Sequence, residues 1–355
     1  MKNGETMESE ALIEFGKPLE RIKTETPSPQ GKEVLLKVTY GGVCHSDVHI
    51  QDGYFDLGGG NQLPLGGTMN LPHTLGHEIE GEVVSIGSDV KDIKVGENVV
   101  AFPWIGCGKC ATCDSGDEHL CNAPRQLGIQ LAGGFSDYCL VPDEKYLLDY
   151  TGIKPGLAAT YMCSGLTAFG ALKKINHVSK DDHILILGLG GVGMMGLQFA
   201  RTLFDCKILA ADIDPNKLQA AQGAGADEVY NTSDELSLMK LIEDTQGGVK
   251  AAVDFVGAEK TIEYAFNGAK KGGQIVVVGL FGGAFQKPIP MFPLTAKSIC
   301  GSFVGNLEET KEMLELVKSG KVDPIPVETR DLSEATKTLD DLRDGNITGR
   351  VVLEP

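Results

Sequence analysis

Between His183 and Asp214 the chain reads HILILGLGGVGMMGLQFARTLFDCKILAADID: a strand-length apolar run, a glycine-packed turn, a helix-length segment, a second apolar run and acids. This is a strand-turn-helix-strand unit, and it needs a sheet to lie in. Gly188, Gly190 and Gly193 fill G-x-G-x-x-G directly after Ile184 to Leu187 and before helix formers, which is the context that raises a weak pattern to a dinucleotide signal. In such a turn the first glycine permits the tight bend and the second lets backbone approach a pyrophosphate. The third lets helix and strand pack closely, while the helix N-terminus offers N–H groups to the anion. Asp212 ends the second apolar run, where an acid accepts hydrogen bonds from ribose hydroxyls, and this favours NAD over NADP. The same glycines would also serve close packing in an ordinary α/β turn. The acid weighs against that.

A length of 355 residues implies two domains. The net charge is -17, from 49 acids against 32 bases, and no run of five Lys or Arg occurs, so nucleic acid and anionic membrane are poor partners. The N-terminal stretch MKNGETMESE has no apolar core of the kind a signal peptide needs. From Ile184 to Ala200 the chain is almost wholly apolar, but glycines interrupt it and it falls short of a membrane span. A soluble, cytoplasmic protein is expected.

Nine cysteines, an odd number, point to thiols or metal ligands rather than a disulfide framework. Cys107, Cys110, Cys113 and Cys121 form C-x2-C-x2-C-x7-C in a segment poor in apolar residues. Four thiolates so close in sequence surround one tetrahedral Zn²⁺, and a closed shell leaves no place for substrate, so that zinc is structural. Iron-sulfur clusters use cysteine quartets too, but this spacing differs from the ferredoxin patterns. Upstream, Cys44-His45-Ser46-Asp47-Val48-His49 and Gly76-His77-Glu78 are dense in side chains that bind metals or move protons. Taken singly, a Cys or His is more often a packed or surface residue than a ligand.

Residues 1 to 40 carry short strand-like runs, Ala11 to Ile13 and Val34 to Val38, that open an antiparallel, barrel-like β region. Another strand candidate is Tyr138 to Val141, and a helix candidate contains Tyr161 to Ala168, with Cys163 in it. Beyond Asp214 helices (Lys217 to Gln222, Asp234 to Asp244, Glu259 to Ala269) alternate with strands (Glu228 to Tyr230, Ala251 to Val256, Gln274 to Gly279, Ser298 to Phe303). Alternation of this kind predicts a parallel, doubly wound sheet. The tail adds helices at Leu307 to Ser319 and Ser333 to Leu342 and a strand at Gly349 to Leu353.

Together these motifs closely resemble the zinc-dependent, medium-chain alcohol dehydrogenases, over nearly the whole chain and in that family's order. The resemblance implies an α/β protein. A GroES-like β-rich catalytic domain would comprise residues 1–164 and 304–355, and an NAD-binding Rossmann domain residues 165–303, with the active site in the cleft between them. It implies that Cys44, His77 and Cys163 hold a catalytic zinc, leaving one position open for water or substrate. Glu78 would approach that metal during ligand exchange, and Asp47 would hold the histidine's tautomer. Gly188, Gly190, Gly191, Val192, Gly193, Asp212, Lys217 and Arg350 would contact NAD, with Arg350 meeting the pyrophosphate. Trp104 resembles the tryptophan that lines the substrate pocket in microbial relatives.

The expected reaction is reversible oxidation of an alcohol to an aldehyde or ketone, with hydride passed to NAD. Ser46 would take the hydroxyl proton, pass it through the nicotinamide ribose, and His49 would deliver it to solvent; Thr167 would help orient the nicotinamide. One departure from the family is Phe55 to Asn70, FDLGGGNQLPLGGTMN, read as a glycine-rich inserted loop that borders the substrate entrance or is simply surface. Rival readings are a reductase of the same fold without the zinc ligands, a polyol or thiol-adduct dehydrogenase, and a non-catalytic, zinc-stabilised NAD sensor. The expected partner is a small alcohol or carbonyl compound. A homo-oligomer is also expected, a tetramer rather than a dimer, meeting at the strand Ser298 to Phe303. Cys139, Cys206 and Cys300 read as packed thiols.

Overall fold

In a computed structural model that describes residues 5–355, most strands gather into two large sheets. The first four residues of the N-terminal stretch discussed above lie outside the described residues. The six-stranded sheet is wholly parallel and runs in the order Glu228–Asn231, Lys207–Asp212, His183–Leu187, Val249–Asp254, Ala269–Val277, Ser298–Gly301. Counting from His183–Leu187 as the first, that order is 3-2-1-4-5-6, the doubly wound arrangement. Its central strands are nearly continuous apolar runs because helices cover both faces; Ile184, Leu185 and Ile186 have no exposure at all. Each such side chain contributes about 1.5–3 kcal/mol by leaving water.

The seven-stranded sheet takes in Leu147–Asp149, Asn98–Ala101, Glu78–Ile86, Val34–Gly42, Arg350–Glu354, Val327–Asp331 and, off that path, Tyr138–Val141. The C-terminal strand Arg350–Glu354 pairs antiparallel with Val34–Gly42 at Val352 and Leu353, and parallel with Val327–Asp331. The tail therefore returns to the N-terminal sheet. This pairing delivers Arg350 to the side chain of Glu78, 272 residues away in sequence. A helical stretch, Leu157–Lys173, leads from this sheet to the parallel one. No helix among the described residues is long and apolar enough to cross a membrane.

The predicted elements appear within a few residues of their expected limits, with four differences. Cys44 to His49 forms the start of a helix, His45–Asp52, which its low apolar content did not announce. Tyr161 to Ala168 is not one helix: an α-turn Leu157–Thr160, a π-turn Tyr161–Gly165 and an α-helix Leu166–Lys173 follow one another. The strand Ala269–Val277 begins five residues before its apolar core, where Gly272 at φ +71 and a register shift accommodate the polar lysines. The expected loop from Phe55 is a β-hairpin, Tyr54–Gly58 paired with Asn61–Pro64. Gly58, Gly59 and Gly60 supply the positive φ angles of its turn, which explains the run of glycines.

Candidate active site and metal centres

Cys44 caps the helix His45–Asp52, and its backbone N–H donates to Asp47 Oδ2 at 2.9 Å. The other oxygen of Asp47 accepts from Gly76 N at 3.3 Å and lies 3.1 Å from His77 Nδ1. Gly76 turns at φ +89, and a Cβ there would sit 2.4 Å from the Phe135 ring, so glycine is required to bring His77 inward. With Nδ1 held by a carboxylate, the proton resides on that nitrogen and the lone pair of Nε2 is free for a metal. His77 Nε2 is buried and has no protein partner. Cys44 Sγ and Cys163 Sγ stand 3.9 Å apart, and the three ligand atoms lie within 4.8 Å of one another. Tetrahedral zinc with Zn–S near 2.3 Å would space two sulfurs by about 3.8 Å, so the pair fits the metal. A hydrogen bond from the Cys163 thiol, with His77 alongside, holds Cys44 well below the ordinary thiol range, so the cluster carries a thiolate suited to a cation.

Glu78 has no solvent exposure, and its Oε1 accepts from the backbone N–H (3.1 Å) and hydroxyl (2.8 Å) of Ser164, next to Cys163. Its other oxygen accepts a charge-assisted bond from Arg350 Nη2. Burial pushes the carboxyl up to about 7, with the guanidinium opposing. Arg350 Nε is itself buried without a partner. The guanidinium stem also passes beside the dinucleotide turn: a Cβ on Gly191 would meet Arg350 Cδ at 2.5 Å. One side chain thus spans from the carboxylate beside the cysteine-histidine cluster to the glycine turn. Sequence reasoning gave Arg350 a pyrophosphate role only; no local signal announced Glu78 as its neighbour.

Within that turn the three glycines behave differently. Gly188 adopts φ +87, and a Cβ on Gly193 would lie 1.7 Å from the Gly188 carbonyl oxygen, while a Cβ on Gly190 would meet nothing within 4 Å. The bend and the helix-strand contact thus exclude side chains at the outer two. The middle one faces open space, as backbone that must approach a pyrophosphate does. Gly191 and Val192 begin the helix Gly191–Leu203 and are half-buried. Asp212 accepts from Leu189 N at 2.6 Å and from Asp214 N at 3.0 Å, which fixes its carboxylate at the end of the second parallel strand with further lone pairs to spare. Lys217 is half-buried on the helix Pro215–Gly223.

Ser46 is half-buried with Oγ 3.8 Å from Cys44 Sγ. His49 lies one helical turn further on, and its ring is 5.0 Å from that of Phe55 in the hairpin. Burial draws His49 below its ordinary 6.5, with Asp52 opposing. Thr167 is half-buried on the helix that follows the π-turn. Trp104 is 2% exposed; its ring is edge-on to His77 at 5.5 Å and to Phe303 at 5.5 Å.

The hairpin also reaches the parallel-sheet unit. A Cβ on Gly58 would lie 2.6 Å from Gly283 Cα, and one on Gly282 would lie 2.9 Å from the Asp56 carbonyl oxygen. Backbone meets backbone here. The inserted segment thus touches His49 through Phe55 and bridges to the loop after Ala269–Val277.

Cys107, Cys110, Cys113 and Cys121 also form a cluster of ligand atoms within 4.8 Å. The sulfur separations of 3.5 Å (Cys110–Cys113), 3.8 Å (Cys110–Cys121) and 3.9 Å (Cys107–Cys113) again match tetrahedral zinc. Cys121 Sγ accepts backbone N–H bonds from Cys107 and Ala123, both at 3.3 Å, which favours thiolate. Glu118 fastens this lobe by accepting from Gly106 N, Lys145 and the Tyr146 hydroxyl. Of the unassigned thiols, Cys139 is buried and Cys206 and Cys300 are half-buried; burial pushes Cys139 up to about 12.

Residues 30–151 match the family described as alcohol dehydrogenase GroES-like domain, and residues 191–319 match the family described as zinc-binding dehydrogenase. A protein of Sulfurisphaera tokodaii named NAD-dependent alcohol dehydrogenase is 37% identical over 98% of this chain and 100% of its own length. One of the same name from Saccharolobus solfataricus is 36% identical over 98% of this chain and 100% of its own. The crystal structure of an alcohol dehydrogenase from Aeropyrum pernix superposes with a TM-score of 0.88, at 28% identity, covering 98% of this chain and 100% of that one. The chain belongs to the zinc-dependent, medium-chain alcohol dehydrogenase family.

Proposed function

We propose that this chain catalyses the reversible oxidation of an alcohol to an aldehyde or ketone with NAD as hydride acceptor, using a catalytic zinc held by Cys44, His77 and Cys163 and a structural zinc held by the four-cysteine lobe. The observation that carries the reading is the unpartnered His77 Nε2, buried and facing two thiols. When bound, zinc supplies Lewis acidity that lowers the alcohol's pKa, and NAD accepts the hydride.

The chain's own groups orient and move protons. Ser46 accepts the hydroxyl proton, and His49 passes it to solvent, being neutral at pH 7 because burial disfavours its charged form. Thr167 positions the nicotinamide, and the Gly188 to Gly193 turn with Asp212, Lys217 and Arg350 holds the remainder of the cofactor. Asp47 fixes the tautomer of His77. Glu78 and Arg350 compensate each other's charge beside the metal ligands.

The division into a catalytic domain of residues 1–164 and 304–355 and a cofactor domain of residues 165–303 is part of this reading, as is a cytoplasmic location. So is a homo-oligomer, with a tetramer favoured. The strand Ser298–Gly301 is one of the two edges of the parallel sheet, and Ile289, Leu294 and Phe303 near it in sequence are exposed. Light scattering after gel filtration measures that state.

Metal content per chain, coupled to NADH formation against aliphatic, allylic, benzylic and polyhydric alcohols, tests the reading. Two zincs with turnover are expected. One zinc and no turnover, in protein never exposed to chelator, would favour the non-catalytic sensor instead.

A further inference from the structure

Cys163 reaches the metal cluster from an unusual piece of backbone. The π-turn Tyr161–Gly165 closes with Leu166 N–H bonding to the Tyr161 carbonyl, five residues back, where a continuous α-helix would bond four back. One extra residue in a turn changes the phase of the helix by about 100°, since each residue of an α-helix advances by that angle. The phase decides where Cys163 points. A wide turn also interrupts the backbone ladder, and the carbonyls inside it gain from an outside donor when they are buried.

Such a donor is present. The indole Nε1–H of Trp104 donates to the carbonyl of Met162 at 2.9 Å, and both residues are buried. The same indole packs in T-shaped contacts against the rings of His77 and Phe303, with centroids 5.5 Å apart in each case. Trp104 therefore touches two of the three ligand-bearing segments, one by a hydrogen bond and one by packing.

We infer that Trp104 is a positioning residue of the catalytic metal centre, its indole N–H clamping the π-turn so that Cys163 Sγ is aimed at the position that His77 and Cys44 share. This rests on the assignment of those three residues as zinc ligands. It assigns the indole N–H a task separate from the pocket-lining role that the family resemblance implies for the ring.

Trp104 is the single tryptophan of the chain, so biosynthetic replacement of tryptophan by its benzothienyl isostere alters this one position, keeps the ring shape and removes only the N–H. The protein would be prepared with cobalt in place of zinc, together with Trp104→Phe as a second variant. Visible absorption of the cobalt and the rate of metal release to a chelator are then recorded. In both variants the absorption of the Cys44, His77 and Cys163 site should shift and its metal should leave about tenfold faster, as loss of an outer-shell partner generally gives. Release from the four-cysteine site should not change. Two metals bound with an unchanged spectrum and release rate would overturn the inference alone. Faster release from both sites together would also overturn it, because the effect would then be general loosening. A protein that takes up metal only in the four-cysteine lobe would overturn the ligand assignment itself, and the inference with it.

Discussion

Asp47 Oδ1 and His77 Nδ1 are 3.1 Å apart, and neither side chain has any exposure to solvent. The Asp47 carboxylate holds Nδ1, so the neutral ring carries its proton there and turns the lone pair of Nε2, which has no protein partner, towards the thiols. Asp47 is held in turn by Cys44 N and Gly76 N, which ties two ligand segments to one carboxylate. Asp47→Asn keeps the volume and removes the charge. It should weaken retention of the catalytic zinc by about 10–100-fold while the four-cysteine zinc stays bound. Zinc per chain after dialysis against a graded chelator checks this, and equal retention by the variant would refute it.

Much of this site was legible because its chemistry recurs at fixed spacing. The quartet Cys107, Cys110, Cys113 and Cys121 lies within fifteen consecutive residues, so spacing alone announced it. The glycine turn was legible for the same reason. Cys44, His77 and Cys163 are scattered, and only resemblance brought them together before the fold did. What stayed hidden depends on long-range placement: Arg350 on Glu78, the Trp104 indole on Met162, and Phe55 over His49. No periodicity or spacing encodes such pairs, since each arises where two separately formed elements are packed. The glycines of the Phe55 to Asn70 segment were visible, but read as a loop, because no apolar alternation marks its two short strands.

Arg350 and Glu78 form an ion pair with side-chain exposures of 5% and 0%. Breaking a buried pair by removing one partner leaves the other charge uncompensated, at a cost of about 3–5 kcal/mol, whereas removing both costs much less. Arg350→Met should therefore lower stability by about that amount. Adding Glu78→Gln to it should restore part of the loss. Urea unfolding of the four proteins of this cycle gives the coupling, and additive losses would contradict the pairing.

Gly58 and Gly60 separate two effects in the hairpin. Both have positive φ, +78 and +81, so alanine at either costs about 1–2 kcal/mol in backbone strain. Only at Gly58 would the new Cβ meet another segment, Gly283 Cα at 2.6 Å; at Gly60 it would meet nothing within 4 Å. Gly58→Ala should lift the hairpin from the loop beyond the parallel sheet and raise KM for cofactor and alcohol severalfold. Gly60→Ala should share the stability loss and keep wild-type kinetics. Identical kinetic constants in the two variants would show that the hairpin contact does not bear on catalysis.

The proposed proton path fixes the sign of the pH dependence. His49 can accept a proton only when neutral, so alcohol oxidation falls as pH drops through its pKa. Burial has drawn that value below 6.5, and the acid limb of kcat/KM should therefore lie below 6.5 and leave the rate at pH 7 uninhibited. Ser46→Ala removes the first acceptor and should lower kcat for oxidation by about 10²-fold, the low end of what a positioned proton acceptor supplies. His49→Gln should cost less, about tenfold, because solvent reaches this half-buried position, and it should flatten the acid limb. Full pH profiles of kcat/KM for the three proteins decide the matter. An acid limb that persists unchanged in His49→Gln would assign the titration to another group and remove His49 from the path.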